Sequence, residues 1–274
     1  MDELPNRKAV RVIGESYLYK GEEQIWKDRS RALATALKDL GWDLSAPLHI
    51  EPLPLGLSNH NYKIFCGNHG PLLLRMFGPT VGDSNPDEKH IQDTGLGAHV
   101  VQRLDWGRLE TWLAGRPMRR EDCDNSQVLV ALANELRHLH TVAGRNHNDL
   151  NFTNVLVCES EDFPTTHLLD FEYAGPLDPP LDIANFFCEW MYDFESPRWF
   201  EPDPTRFPSD EQARSFIAQY LGITNYDDEV LAFQKEVQAR IPYVHKFWID
   251  WAMKNFSDRY EYVQYAELRQ ILVD

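Results

Sequence analysis

Strand-like and helical segments are segregated along this chain. From His49 to Gly115 the apolar residues come in short runs, HIEPLPLGLSN, NYKIFCG, PLLLRMFG, AHVVQRL and RLETWLAG. Turn residues break them, notably Gly67-Asn68-His69-Gly70 and Asp105-Trp106-Gly107. Runs of this length between glycine and asparagine turns predict strands, and the first three in close succession predict an antiparallel meander. A helix precedes them: Trp26, Ala32, Leu33, Ala36, Leu37 and Leu40 recur at helical spacing and stop at Gly41. Residues Gly82 to Thr94 are polar and poorly periodic. From Asn125 the period changes, with Val128, Leu129, Leu132, Leu136 and Leu139 on one face behind an Asn-Ser cap. Further helices are expected through IANFFCEWMYDF, DEQARSFIAQYLG and Asp227 to Phe256. The expected fold class is α+β. A small β-rich lobe, residues 1–113, should precede a mostly helical lobe, residues 114–274.

The totals agree with a folded enzyme-sized chain and exclude some roles. At 274 residues, with 43% hydrophobic and 12% aromatic residues, two lobes with real cores are affordable. With 27 basic against 43 acidic residues the net charge is −16, which opposes binding to nucleic acid or anionic membranes and favours cationic ligands. The start, MDELPNRKAV, lacks the apolar core of a signal peptide, and no run approaches the roughly 18 to 20 apolar residues of a membrane span. A cytoplasmic protein without stable membrane insertion is expected. Cys66, Cys123, Cys158 and Cys188 are far apart with no CxxC, so neither zinc nor a disulfide framework is indicated.

The stretch HNDLNFTNVLVCESEDFPTTHLLDFE, His147 to Glu172, concentrates the chemistry. Two short apolar runs, VLV and HLL, flank a loop, and carboxylates and amides stand at their ends. An aspartate two residues after a histidine and five before an asparagine fits a loop in which Asp149 receives a proton and Asn154 coordinates a metal. Asp170 ends the next strand. Phosphoryl transfer needs such parts: a carboxylate to orient the attacking hydroxyl and hard oxygen ligands for Mg²⁺ on the nucleotide phosphates. Each residue alone could merely cap a turn; the set is harder to explain that way.

HNDLNFTNVL, LLDFEYAG and DIANFFCEWMYDF resemble the catalytic, metal-binding and substrate-binding motifs of the choline/ethanolamine kinases, members of the protein-kinase-like and aminoglycoside-phosphotransferase-like superfamily. GLSNHNYKIF resembles the family's phosphate-covering loop at Gly56, Ser58 and Asn59, and LLLRMFG the strand whose basic residue, here Arg75, contacts nucleotide phosphates. GRLETWLAGR resembles the hinge strand, with Glu110, Thr111 and Leu113 toward the adenine, while FWIDWA and YEYVQYAELR resemble the closing helices. The resemblance implies a two-lobed protein-kinase-like fold, ATP and Mg²⁺ as cofactors, and a tendency to form homodimers. It implies Asp149 as catalytic base, Asn154 and Asp170 as Mg²⁺ ligands with Glu172 near a second ion, and His147 as support for the loop.

The acceptor is suggested by rings. Trp248 and Trp251 stand three apart on one helical face, and Tyr262 and Tyr265 repeat the spacing. A quaternary ammonium has no N–H to donate and is held by aromatic faces, each contributing roughly 0.5 to 2 kcal/mol when desolvated. Any one of these rings could equally belong to an ordinary core stripe. By the resemblance, Glu189 is the acidic contact to the cation, Trp248, Trp251 and Tyr265 form the cage, and Tyr173 lies nearby. Phe194 replaces an expected tyrosine, and CEWMYD resembles the choline branch. The expected activity is transfer of the ATP γ-phosphate to choline. Ethanolamine, another amino alcohol or an aminoglycoside-type acceptor remains an alternative, as does a nucleotide-binding pseudokinase, because residues 79–97 and 141–146 are shorter than in the family. In the first of these the family carries a helix whose glutamate pairs with the phosphate-binding basic residue; here the segment offers Asp87 and Glu88, with Glu88 a candidate partner for Arg75 and the identity of that partner open.

Overall fold

The computed structural model describes residues 9–12, 16–19, 23–53, 59–77, 85–224, 228–255 and 260–273. The chain divides into two compact units, Met1–Ser84 with Ala98–Leu113 and Asn85–Gly97 with Ala114–Asp274. Gly56 and Ser58, the side chain of Trp26, and the helix ends expected at Asp227 and Phe256 lie outside the described residues.

The first unit holds a two-stranded ribbon, β1 (Ala9–Val12) and β2 (Ser16–Tyr19), and a helix, α1 (Glu23–Asp39). Its main sheet is formed by β3 (Leu48–Pro52), β4 (Asn59–Cys66), β5 (His69–Phe77), β6 (Val100–Leu104) and β7 (Gly107–Thr111). All pairings are antiparallel, in the order β3-β4-β5-β7-β6. Strand alternation sorts the side chains. Tyr62, Ile64, Leu74, Met76 and Leu109 are buried with Leu33, Ala36 and Leu37 of α1 in one core. The other face of β5 and β7 brings Arg75 opposite Arg108, with Glu110 two residues on. Gly107 permits this approach, since a Cβ there would lie 2.4 Å from the Arg75 carbonyl oxygen.

The second unit begins with α2 (Pro86–Asp93), in the stretch that reads as merely polar. Its start is written locally: Asn85 caps it, Pro86 fills the first helical position, and Asp87 and Glu88 suit the positive end of the helix. After β8 (Arg116–Pro117) and α3 (Ser126–His138), a π-helical turn over Leu139–Ala143 leads into β9 (Arg145–Asn146). Regular helix therefore ends at His138, although the apolar face predicted from the sequence runs on to Leu139. Next come β10 (Val155–Cys158), β11 (Thr165–Leu168) and β12 (Gly175–Pro176), with sheet order β11-β10-β8 and a separate β12-β9 pair.

The remainder is helical: α4 (Pro179–Glu189), α5 (Asp210–Leu221), α6 (Asp228–Asn255) and α7 (Tyr260–Ile271). Leu132, Leu136, Ile183, Phe186, Phe187, Phe216, Ile217, Val237 and Val244 form the centre of one core. Each such side chain contributes roughly 1.5 to 3 kcal/mol by leaving water. The four cysteines are free thiols, and among the described residues no helix is long and apolar enough to cross a membrane.

Candidate active site

Helix α4 organises the site. It is buried along nearly its whole length, yet Asp182, Asn185 and Glu189 recur at spacings of three and four and so share one face. Buried polar groups need internal partners. Asp182, fully buried, accepts from the backbone N–H groups of His147 and Asn148, each at 2.6 Å, and meets His140 Nε2 at 2.9 Å. Asn185 donates to the Leu150 carbonyl at 3.3 Å and accepts from Trp248 Nε1 at 2.8 Å. One helix face thus holds the loop from His147 to Leu150 at both ends.

That loop is held in place by its own side chains as well. Asn148 adopts a left-handed conformation, φ 62°, which asparagine tolerates better than most residues, and its Nδ2 donates to the Tyr173 carbonyl at 2.9 Å. His147 is fully buried; its Nδ1 accepts from the Asp149 N–H at 3.3 Å and its Nε2 donates to the Leu169 carbonyl at 2.8 Å. Burial pushes its pKa down, so it is a neutral structural hinge between the two strand ends.

Asp149 accepts from Asn151 Nδ2 at 2.9 Å and from Asn154 Nδ2 at 2.8 Å. No cation is among these partners. Burial pushes its carboxyl well above the usual carboxylate range; the Asn151 amide opposes this, while the nearby negative charges of Glu189 and Asp170 add to it. Asn154 also donates to the Asp149 carbonyl at 2.9 Å, which turns its amide nitrogen toward Asp149 and leaves Oδ1 as the acceptor end. Asn154 and Asp170 are joined through the backbone, since the Leu169 N–H donates to the Asn154 carbonyl at 2.8 Å. Asp170 is itself left-handed, φ 61° and ψ 67°, and starts the short turn Phe171–Tyr173 that carries Glu172.

These residues fit a hard divalent cation. Among the described residues no three His, Cys, Asp or Glu side chains form a cage. An amide oxygen from Asn154 and carboxylates from Asp170 and Glu172 suit an ion that takes its remaining ligands from water and phosphate oxygens. Asp149 itself accepts only from amides, and the nearby charges of Glu189 and Asp170 add to the negative field there, which favours such an ion.

Rings gather beside this cluster. Tyr173 packs edge-on to Trp248 at 5.8 Å between centroids and accepts from Trp251 Nε1 at 2.8 Å; Trp248 and Trp251 lie 5.7 Å apart. Tyr265 lies 5.5 Å from Tyr192, and Phe194 lies 6.5 Å from Tyr192, between ring centroids. The Tyr173 hydroxyl is pushed up to about 12 by burial and by Glu172, and that of Tyr265 is pushed well up by burial, which Arg269 opposes while Glu189 and Asp149 add to it. Glu189 is buried with its own counter-ion: Arg269 of α7 donates to it and is itself fully buried. The guanidinium lies 4.6 Å from the centroids of both Tyr192 and Tyr265. Arg269 stays charged, because these neighbours outweigh the burial that opposes its charge.

In the first unit, Arg75 is buried with its Nε 3.3 Å from Glu110, which also accepts from Arg108 Nε. Glu110 is thus one carboxylate beside Arg75, and Glu88 accepts from Gln92 at 3.4 Å. Glu110 had been expected toward the adenine; its carboxylate is committed to the two arginines. Asn59 is buried at the start of β4. Thr111 pairs with His99, accepting its N–H on the hydroxyl at 2.9 Å, and Leu113 follows just after β7.

The model of the choline/ethanolamine kinase family matches residues 144–272. A mouse choline/ethanolamine kinase is 31% identical over 318 aligned positions that cover 83% of this chain and 80% of the relative. The chain belongs to the choline/ethanolamine kinase family. A probable choline kinase of Arabidopsis thaliana is 30% identical, but there the match spans about half of the relative, 51%, and 61% of this chain. With the human choline/ethanolamine kinase, 31% identical, it spans 35% of the relative and 45% of this chain. Among solved structures, choline kinase from Cryptosporidium parvum superposes with a TM-score of 0.75 at 17% identity, over 90% of this chain and 94% of that one. An ethanolamine kinase of Plasmodium vivax gives 0.69 at 19% identity, covering 82% of each chain. The fold is thus the kinase-like α+β fold, shared at a TM-score of 0.51 with an aminoglycoside phosphotransferase.

Within this family member the motif residues Asp149, Asn154, Asp170, Tyr173, Trp248, Trp251, Tyr265 and Glu189 all lie in the second unit. The sequence reading missed Asp182, Asn185 and Arg269. A signal existed for the first two: in an otherwise apolar helix, polar residues three and four apart mark a face that meets polar partners. Arg269 carried none, because its partner lies 80 residues earlier in the chain.

Proposed function

We propose that this protein is a choline kinase, transferring the γ-phosphate of ATP to the hydroxyl of choline. The observation that carries the choice of acceptor is the state of the polar atoms among the rings. The Tyr173 hydroxyl accepts from Trp251, Asn185 Oδ1 accepts from Trp248, and Glu189 is paired with Arg269. A primary ammonium brings three N–H donors that need acceptors, whereas a trimethylammonium needs only faces and a nearby negative field. Tyr173, Trp248, Trp251 and Tyr265 supply the faces, and the carboxylates of Asp149 and Asp170 the field.

In this reading Asp149 orients the choline hydroxyl and takes its proton, and its raised pKa suits it to accept one near neutral pH. Asn154, Asp170 and Glu172 hold Mg²⁺, which when bound neutralises charge on the phosphate oxygens. Nucleotide contacts fall to the first unit, with Gly56, Ser58 and Asn59 over the phosphates, Arg75 on them, and Glu110, Thr111 and Leu113 along the strand and its exit toward the base. For Glu110 this contact is through the backbone. The reading places the enzyme in the cytoplasm, as a dimer.

The test is transfer of labelled phosphate from ATP, with Mg²⁺, to choline and to ethanolamine, by the parent protein and Asp149→Asn. Phosphocholine should form at least about tenfold more efficiently than phosphoethanolamine, as expected for one aromatic face lost to solvent, and the variant should form almost none. Equal or better use of ethanolamine would defeat the choice of acceptor. Equal turnover by parent and variant would defeat the role of Asp149.

A further inference from the structure

The described part of the segment between residues 79 and 97 is built into the second unit as a strut. Asn85 does two things with one planar amide. Its Oδ1 caps α2 by accepting from the Asp87 N–H at 2.9 Å. Its Nδ2 lies 2.8 Å from the carbonyl of Glu172, 3.2 Å from that of Phe171 and 3.4 Å from that of Ala174. These are the carbonyls of the turn that follows Asp170. The rest of α2 reaches toward the other strand end: Arg145 Nε donates to Asp87 at 2.7 Å, and His90 Nε2 meets the Ala143 carbonyl at 2.9 Å. Both partners immediately precede the loop of His147 and Asp149. Ile91, fully buried, and Leu96 anchor the strut in the core. Gly97, at φ +69°, brings the chain back against the same turn, where a Cβ would stand 2.6 Å from the Phe171 ring.

We propose that Asn85 is a positioning residue for the cation-binding turn: by holding its carbonyls it fixes Asp170 and Glu172, and α2 ties that turn to the loop of Asp149. The inference rests on the kinase reading above. Asp170 adopts a left-handed conformation that a non-glycine residue keeps only where its surroundings over-determine it. The Asn85 amide is one of those determinants. A carbonyl-directed clamp of this kind acts on the backbone of the turn; of the rings only Tyr173 belongs to it, and its hydroxyl is held separately by Trp251.

Substitutions can separate the cap from the clamp. Asn85→Asp keeps a good N-cap acceptor of the same size and removes the N–H donor; Asn85→Ser also caps well but is too short to span to the carbonyls. Binding of ADP is measured by titration calorimetry across a series of Mg²⁺ concentrations, alongside choline binding by tryptophan fluorescence and thermal melting. Both variants should raise the Mg²⁺ concentration needed for half-maximal ADP binding by roughly threefold to tenfold, the effect of one lost hydrogen-bonding group. Choline affinity should stay within about twofold, below the effect of a lost aromatic face. Hydrogen exchange at the Ala174 N–H, which donates to Phe171 at 3.0 Å, should quicken in both. An unchanged Mg²⁺ requirement would overturn the inference, whether or not stability falls. So would an equal loss of ADP and choline binding, which marks general loosening. Failure of the parent itself to bind Mg²⁺ and ADP would overturn the kinase reading and this inference with it, and differs because the parent rather than the variant fails.

Discussion

Two buried carboxylates in the second unit have opposite surroundings. Glu189 lies in a dense knot with Arg269, Tyr192 and Tyr265, and its charge is matched by a guanidinium from α7. Asp149, facing the same region, accepts side-chain hydrogen bonds from amides alone, with its loop braced by Asp182 and Asn185. Burial is costly for both. The matched pair belongs to architecture. The unmatched one suits the proposed role, in which the site takes up a proton and lies beside a bound cation, so that a permanent counter-ion would compete with both.

Removing the unmatched charge should have the largest functional effect. Asp149→Asn should lower turnover by about 10³-fold, within the range for a positioned base. Its folded-state pKa lies above the unfolded one, so ionisation costs stability, a cost absent below the unfolded value and fully present above the folded one. The variant should therefore melt no lower than the parent at pH 7.5. A lower melting temperature would show that Asp149 is as well matched as Glu189.

Arg269→Met attacks the matched pair. It leaves Glu189 buried without a counter-ion, and stability should fall by about 3 kcal/mol in denaturant titrations at neutral pH. A loss under about 1 kcal/mol would mean the pair contributes like a surface bridge. His245 sharpens the point from the side: its Nδ1 lies 3.4 Å from Arg269, and burial together with that charge pushes its pKa down to about 4. A histidine with a depressed folded value contributes stability that is present above its unfolded value and lost as pH falls toward the folded one. Between pH 7 and pH 5 the parent should lose about 2 kcal/mol through this group, and His245→Gln should flatten that slope. An unchanged slope would point to other groups.

The smallest effect is expected where the two regions share rings. Trp251→Leu should raise the KM for choline about tenfold with little change in kcat. A shift in kcat instead would mean that Trp251 acts through the Tyr173 hydroxyl on the loop rather than as a face for the cation.

Much of this was legible in the residues. Asp149, Asn154 and Asp170 stand at strand ends, where polar residues have few structural duties, so their spacing carries chemical information. The segregation of strands from helices carried the α+β class. Other parts were hidden for physical reasons. Helix α2 buries only Ile91 within its own span, so it has almost no periodicity, and its signature was the cap-and-proline start at Asn85 and Pro86. Glu189 reads as a free acid because Arg269 reaches it from a distant helix, and no local pattern records such a partner. The carboxylate of Glu110 beside Arg75 was hidden for the same reason: β7, which supplies it, is paired to β5 only in the folded sheet.

The place of Arg269 in the order of synthesis has a further effect. A nascent chain that has already emerged through the DFE turn carries Asp149, Asn154 and Asp170, but Tyr265 and Arg269 come only with α7. Until then Glu189 has nothing to neutralise it and one wall of rings is absent. In the proposed reading, the ring wall at Tyr265 is thus completed only after the loop of Asp149 and the DFE turn have been made.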